Sequence, residues 1–317
     1  MPFPAKGVRL SDKQQTTELL LKSGATIQET NTVRKHLSGI KGGRLAEKLF
    51  PSTVVSVIVS DVVGDDPESI ASGPTVPDDT TFQEAFDVLQ RRGIWFKVPE
   101  SVRYHILTGR KGELEETPKS RSSVFRRVHN IIVGSSKVAC EAAAKALRKR
   151  RYRALILSTR IQGEASDVGR ILSGMALDIR RNQIPLSPPG AIIAGGETTV
   201  TVHGKGQGGR NQELALASAL SLGSMRGVLF ASIGTDGVDG PTNAAGAVVD
   251  GTTLERGLKR GLDAQDFLED NNSYPFFKRL NDLIVTGPTG TNVNDMMIAI
   301  VENVKQKHDR PRKSVRQ

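Results

Sequence analysis

Cysteine is almost absent: Cys140 is the only one in 317 residues. That excludes an internal disulfide framework and any cysteine-built zinc site, and it fits a reducing compartment. Aromatic residues make up 4% of the chain, too few for the stacking platforms of single-stranded nucleic-acid binders. No apolar run approaches the roughly 18 residues of a membrane span, and the start "MPFPAKGVRLSDKQQ" has no signal-peptide core. A cytoplasmic location without a membrane partner is the expectation. The five histidines (His36, His105, His129, His203 and His308) show no metal-ligand spacing, and no G-x-S-x-G elbow marks a hydrolase.

What is present is charge, glycine and a regular alternation of elements. The formal net charge is +10, but the stretch 304–317 carries six Lys or Arg against one Asp, which is half of that excess. It reads as a basic disordered tail. The second basic run, "LRKRRYR", falls at an expected helix C-terminus, where cations favour the helix dipole. Nucleic-acid binding is therefore not the expected partnership, and homo-oligomerisation is left open.

At this length two domains are expected. Strand-length apolar runs such as "VVSVIVS", "NIIVGS", "ALILST", "GAIIAGG", "GVLFASIG" and "DLIVTG" alternate with helical patterns such as "TFQEAFDVLQRRG" and "SSKVACEAAAKALRKR". The fold class is α/β, two domains with mostly parallel sheets. The charged, turn-rich stretch 108–127 is the linker candidate, which sets domains of 1–118 and 119–303 before the tail.

Three strands run into related loops: "SDVVGDDPESIASGPT" at 60–75, "GTDGVDGPT" at 234–242 and "TGPTGTNVND" at 286–295. Loops beyond strand ends are where α/β sheets gather ligands, so a shared cleft is expected. Asp61, Asp236 and Asp239 on these loops are hard oxygen ligands suited to a nucleotide-bound Mg2+. A carboxylate there can also take a proton from an attacking hydroxyl. The calcium-loop spacing is missing from "SDVVGDD".

Between a strand and a helix stands "GKGQGGRN", 204–211, with P-loop spacing but Arg210 for lysine and Asn211 for the hydroxyl. Gly206, Gly208 and Gly209 would let backbone N–H groups approach an anion at the helix start. Arg210 stands at a helix N-terminus, an unfavourable place for a cation unless an anion offsets it. The other reading is a glycine-rich hairpin whose Arg210 only pairs with a surface carboxylate. Farther upstream, "NTVRKHLSGIKGGRLAE" brings Arg34, Lys41 and Arg44 close in sequence, a set able to hold a small carboxylate or to form a solvated basic helix.

Five stretches in order, "QETNTVRKHLSGIKGGRLAE", "SDVVGDDPESIASGPT", "GGETTVTVHGKGQGGRNQELAL", "GTDGVDGPTNAAGAVVD" and "TGPTGTNVND", resemble the MOFRL-type glycerate 2-kinases, some of which were formerly called hydroxypyruvate reductases. The resemblance covers about residues 10 to 301, with the MOFRL region at about 188–301. It implies a two-domain enzyme that transfers the γ-phosphoryl group of ATP, with Mg2+, to the 2-hydroxyl of D-glycerate. Carried over residue by residue, it implies catalytic roles for Arg210 and Asp236, and substrate binding by Arg34, Lys41, Arg44, Ser72, Gly73 and Thr75. Nucleotide and phosphate contacts fall on Gly195, Gly196, Glu197, Thr198, Gly206, Gly208, Gly209, Asn211, Thr289, Asn292 and Asn294, and metal contacts on Asp61, Asp236 and Asp239. The family's upstream Gly-Ala-Gly-Lys-Ala turn and Ser-Gly-Gly-Gly-Ser loop do not occur in this sequence. The resemblance thus implies a Rossmann-like N-terminal domain short by on the order of a hundred residues, a domain's worth. A catalytically impaired form and a hydroxypyruvate reductase stand as the alternatives.

Overall fold

The structure, a computed structural model, describes residues 2–303. The basic stretch 304–317 lies outside the described residues. The chain divides into two compact units, Met1–Ser135 and Ser136–Gln317. The break expected at 118 falls inside the first of them.

The first unit contains helices α1 (Leu10–Lys22), α2 (Ile27–His36), α3 (Arg44–Leu49), α4 (Phe82–Arg91) and α5 (Glu100–Arg110), with strands β1 (Val54–Val59) and β2 (Val128–Gly134). Thr81 and Glu84 start α4 by a reciprocal cap: the Thr81 hydroxyl accepts from the Glu84 N–H at 3.2 Å, and the Glu84 carboxylate accepts from the Thr81 N–H at 2.8 Å. Phe82, Ala85, Val88 and Leu89 then share one face and pack with Leu20, Val33, Val102 and Ile106. Removing the fully buried Phe82 ring from such a cluster costs about 3–5 kcal/mol. β1 and β2 pair in parallel from Val54 with Val128 to Ile58 with Ile132.

The linker candidate is not a free tether. Asp78 N–H donates to the Pro118 carbonyl at 3.0 Å, and the buried Thr117 hydroxyl donates to the Asp78 carbonyl at 3.2 Å. Glu116 accepts from the Phe82 N–H at 2.9 Å and meets the buried His36 ring at 3.1 Å. These are long-range polar bonds, which leave no hydrophobic period to read.

The second unit runs α6 (Ser136–Lys149), β3 (Arg153–Glu164), α7 (Ala165–Asn182), β4 (Gly190–Thr199), α8 (Arg210–Leu222), β5 (Val228–Gly234) and β6 (Gly246–Asp250). It continues through α9 (Thr253–Leu258), α10 (Ala264–Glu269), α11 (Ser273–Leu280), β7 (Leu283–Ile284) and β8 (Asp295–Val301). Its six strands lie in the order β3-β4-β8-β5-β6-β7. The α/β class holds, with one refinement: this sheet is mixed, parallel between β3 and β4 and antiparallel at the other pairings. The antiparallel β8 lies between β4 and β5, buried on one face and partly buried on the other. Met297, Ala299 and Val301 join the α7 and α8 side, while Met296, Ile298 and Ile300 pack toward α6. Helix α8 is buried all round from Asn211 to Ala219, as befits a helix inside a core rather than one lying on its surface.

Candidate active site

Because β8 runs against β4 and β5, its start lies at the same edge of the sheet as their ends. That edge receives Glu197 from β4, the first turn of α8, the 234–242 loop after β5, and Asn294 and Asp295 at the entry to β8. The loops 234–242 and 286–295 are stitched together there. Thr235 N–H donates to the Asn294 carbonyl at 3.1 Å, Val293 N–H to the Thr235 hydroxyl at 2.9 Å, and Thr289 N–H to the Asp236 carbonyl at 3.1 Å. Two of the three expected loops therefore meet in one unit. The third, 60–75, belongs to the other.

Arg210 is anchored by two carboxylates. Its Nε and Nη2 donate to the two oxygens of Asp295 at 2.6 and 3.1 Å, and its Nη1 donates to Glu197 at 3.1 Å. Burial works against the arginine's charge, but the hydrogen bond and charge of Asp295, followed by Glu197 and Asp239, push its pKa up. A guanidinium has five N–H donors, so one N–H on each terminal nitrogen stays uncommitted by these bonds. The side chain keeps about a third of its surface exposed.

Asp239 is fully engaged as a cap. Its oxygens accept from the backbone N–H groups of Asn211 and Gln212 at 3.0 and 2.9 Å and from their side-chain amides at 3.3 and 2.9 Å. Burial pushes its pKa up while these bonds pull it the other way. Asn211 is saturated as well, donating to Asp295 at 2.9 Å and accepting from Ser232 at 2.6 Å. Asp236 is half-exposed, and its Oδ1 accepts from the Val238 N–H at 3.0 Å. A methyl on Gly234 would stand 3.1 Å from that oxygen and 3.6 Å from Asn211 Nδ2, which puts Asp236 beside the same cluster.

The glycine loop makes bonds of its own. The N–H groups of His203 and Gly204 donate to Asn271 Oδ1, that of Lys205 to Asp270 Oδ1, that of Gly206 to the Asp270 carbonyl and that of Gln207 to Asn272 Oδ1. The stretch 203–207 is thus bound to residues 270–272. Gly206, Gly208 and Gly209 lack a Cβ because it would collide with Asn272, Ser273 and the Asp239 carboxylate respectively. The anion at the start of α8 is Asp239 itself, and the anions offsetting Arg210 are Asp295 and Glu197. Arg210 thus pairs with two carboxylates, of which Glu197 is half-exposed and Asp295 is buried rather than at the surface. Sequence reasoning missed Asp295, which had appeared only as the last letter of a loop motif.

Several other expected nucleotide contacts also have structural neighbours. Side chains at Gly195 and Gly196 would strike Ser136 and Ile161, and Thr198 is buried with its hydroxyl unpartnered among the described residues. The Thr289 hydroxyl donates to the Thr235 carbonyl at 2.7 Å, Asn292 accepts from the Asn294 N–H at 3.1 Å, and Asn294 Nδ2 donates to Glu197 at 3.3 Å. Asp239 has no oxygen to spare for a metal, and Asp61 belongs to the other unit. Among the described residues no group of three His, Cys, Asp or Glu has metal-binding geometry.

In the first unit, "KGGR" and "IASGPT" dock against each other. Gly42, Gly43 and Leu45 donate their N–H groups to the carbonyls of Ser72, Gly73 and Pro74 at 3.0, 2.8 and 3.2 Å, and Lys41 Nζ bonds the Ala71 carbonyl. Ala71, Ser72 and Gly73 all have positive φ, of 52°, 59° and 58°, and such strain in non-glycine residues is retained where a site is built. The Ser72 hydroxyl donates to Asn31 at 2.9 Å and that of Thr75 to Asn130 at 2.6 Å, which ties both to the scaffold. Gly73 accepts from Gly43, and Arg44 reaches the Glu115 carbonyl at 2.8 Å, away from Arg34 and Lys41. Arg34 and Lys41 do come together, on a cavity of about 450 Å³ whose walls also include Lys13 and Glu18.

Residues 1–107 match the family described as a domain of unknown function, DUF4147, and residues 190–295 match the MOFRL family. A glycerate 2-kinase of Pyrococcus horikoshii is 48% identical over 300 residues, covering 94% of this chain and 67% of the relative. A D-glycerate 2-kinase of Thermotoga maritima is 45% identical, covering 94% and 69%. The solved glycerate kinase of Thermotoga maritima superposes with a TM-score of 0.87 at 44% identity, over 94% of this chain and 69% of that one. The chain spans about two thirds of the length of these relatives. With both family regions matched and the fold shared at this identity, the chain belongs to the MOFRL-type glycerate kinase family.

Proposed function

We propose that this chain is a glycerate 2-kinase that carries the γ-phosphoryl group of ATP to the 2-hydroxyl of D-glycerate. The observation that carries this reading is Arg210, held charged by Asp295 and Glu197 with two N–H groups left over, while Asp236 shares the neighbourhood of Gly234 with the adjacent Asn211. Phosphoryl transfer needs positioning and charge neutralisation more than covalent chemistry. The two remaining N–H groups suit the equatorial oxygens of the transferring group. Asp236, half-exposed and with a single local hydrogen bond, supports the role of the base that takes the hydroxyl proton.

Charge balance supports a metal-bound donor. Around Arg210 stand Glu197, Asp295 and Asp239, an excess of negative charge that a bare triphosphate would not enter. Mg2+ on the phosphates supplies the missing positive charge, and Asp236 fits the one or two carboxylates that such an ion takes from a protein. The cationic cavity of the first unit, with Arg34 and Lys41, suits the carboxylate of glycerate. A cytoplasmic setting is in keeping with a single, buried cysteine.

A reductase reading has no support in the glycine loop, whose N–H groups are bound to residues 270–272 rather than open to a pyrophosphate. The test is to incubate the chain with D-glycerate, ATP and Mg2+ and follow the product by phosphorus NMR, with NADH and hydroxypyruvate in parallel. Formation of 2-phosphoglycerate that is lost in Arg210→Ala supports the proposal. Oxidation of NADH without phosphoglycerate sinks it.

A further inference from the structure

One buried charge in the first unit has no protein partner. Lys13 is 7% exposed, and its Nζ forms no hydrogen bond among the described residues. Burying an ammonium without a partner is costly, so a lysine kept in this state calls for a counter-charge from outside the fold. Its surroundings sharpen the demand. Lys13 and Glu18 reach the cavity of about 450 Å³ from α1, Arg34 reaches it from α2, and Lys41 from the turn before α3, three cations against one carboxylate. The remaining walls are small or neutral: Pro2, Leu10, Gln14 and Thr17.

We propose that this cavity is a receptor for a small oxyanion group, a carboxylate or a phosphate, with Lys13 as its most deeply buried charge. The assignment to the glycerate carboxylate rests on the reading of the preceding section, whereas the oxyanion chemistry stands on the cavity alone. Burial, then the charges of Lys41 and Arg34, lowers the Lys13 pKa to about 8, and burial with Arg34 lowers Lys41 to about 8. An anion is held best by the protonated ammonium, so affinity falls as pH rises through about 8.

The test is calorimetric titration of the whole chain with inorganic phosphate and, separately, with D-glycerate, near neutral pH and again well above pH 8. Wild type, Lys13→Met and Lys13→Arg are compared. Wild-type affinity is expected to weaken roughly tenfold across that range, Lys13→Met to weaken roughly tenfold at neutral pH and to lose part of the pH dependence, and Lys13→Arg to keep its neutral-pH affinity with only the pH dependence that Lys41 supplies. Phosphate binding alone upholds the receptor and removes its assignment to glycerate. Glycerate binding that depends on Lys13 upholds both. Binding of neither anion by wild type overturns the proposal, as does binding that Lys13→Met leaves unchanged. The wild-type pH series decides the matter even if the methionine variant folds poorly.

Discussion

Arg210 Nε lies 2.6 Å from one oxygen of Asp295 and Nη2 lies 3.1 Å from the other, so the first residue of β8 grips the first residue of α8 through a two-point fork. Only a planar guanidinium can make that fork and still present donors elsewhere. Arg210→Lys should therefore keep the charge and lose the function. The expected result is a fall in kcat of about 10²–10³-fold, the scale of losing positioned donors to a developing charge. Steady-state kinetics with D-glycerate and ATP measure it, and a kcat near wild type would show that charge alone suffices.

The two aspartates of "GTDGVDG" should separate cleanly. Asp239→Ala strips the acceptor from two backbone N–H groups at the start of a buried helix and should cost about 2–4 kcal/mol of stability. Asp236→Asn removes a half-exposed carboxylate with one short local bond. It should leave stability within about 0.5 kcal/mol while abolishing most turnover. Urea unfolding beside the kinase assay tests the pair, and equal losses of stability would refute the division of roles.

Acid should weaken the first unit through Glu116. Burial alone would raise its pKa, but the His36 hydrogen bond, the Phe82 N–H and the charges of His36 and Lys119 bring it down to about 2. A carboxyl lowered on folding stabilises above its unfolded value and loses that contribution as pH falls toward the folded one. The window therefore runs from about 4.5 down to about 2. Thermal melts of wild type and Glu116→Gln should differ near neutral pH and converge at the bottom of that window. A constant difference would exclude this residue as the source.

The strained turn offers a stability gain. Ala71 sits at φ 52°, a conformation glycine adopts without penalty. Ala71→Gly should stabilise by about 0.5–1 kcal/mol in urea unfolding, because the relief of strain exceeds the added freedom of the unfolded chain. A loss of stability would mean that the turn is already relaxed.

Much of the fold was legible in the sequence because strands such as "GAIIAGG" and helices such as "TFQEAFDVLQRRG" carry local periodicity. The direction of β8 was not, since "DMMIAIV" reads the same for a parallel or an antiparallel neighbour. The site was legible as a set of loops but not as a set of bonds. Arg210 and Asp236 stood out through their glycine-rich contexts. Asp295 and Lys13 did not, because a lone charge at a strand start or on the helix "LSDKQQTTELLLK" looks solvated until the residues packed around it are known. The glycines of "GKGQGG" are ambiguous for a related reason: close approach of a backbone leaves the same signature whether the neighbour is a phosphate or residues 270–272.

The central place of β8 also sets an order of assembly. Gly190 of β4 and Val228 of β5 both pair with Val301, so neither earlier strand has its inner neighbour until nearly all of the unit has been synthesised. Pairings this distant in sequence are slow to form. A nascent chain should hold α8 with Arg210 lacking its Asp295 counter-charge until that strand threads into the middle of the sheet. The last strand of the described fold thus completes the hydrophobic core and neutralises the arginine in one event, and partly folded chains should lack the active arginine geometry altogether.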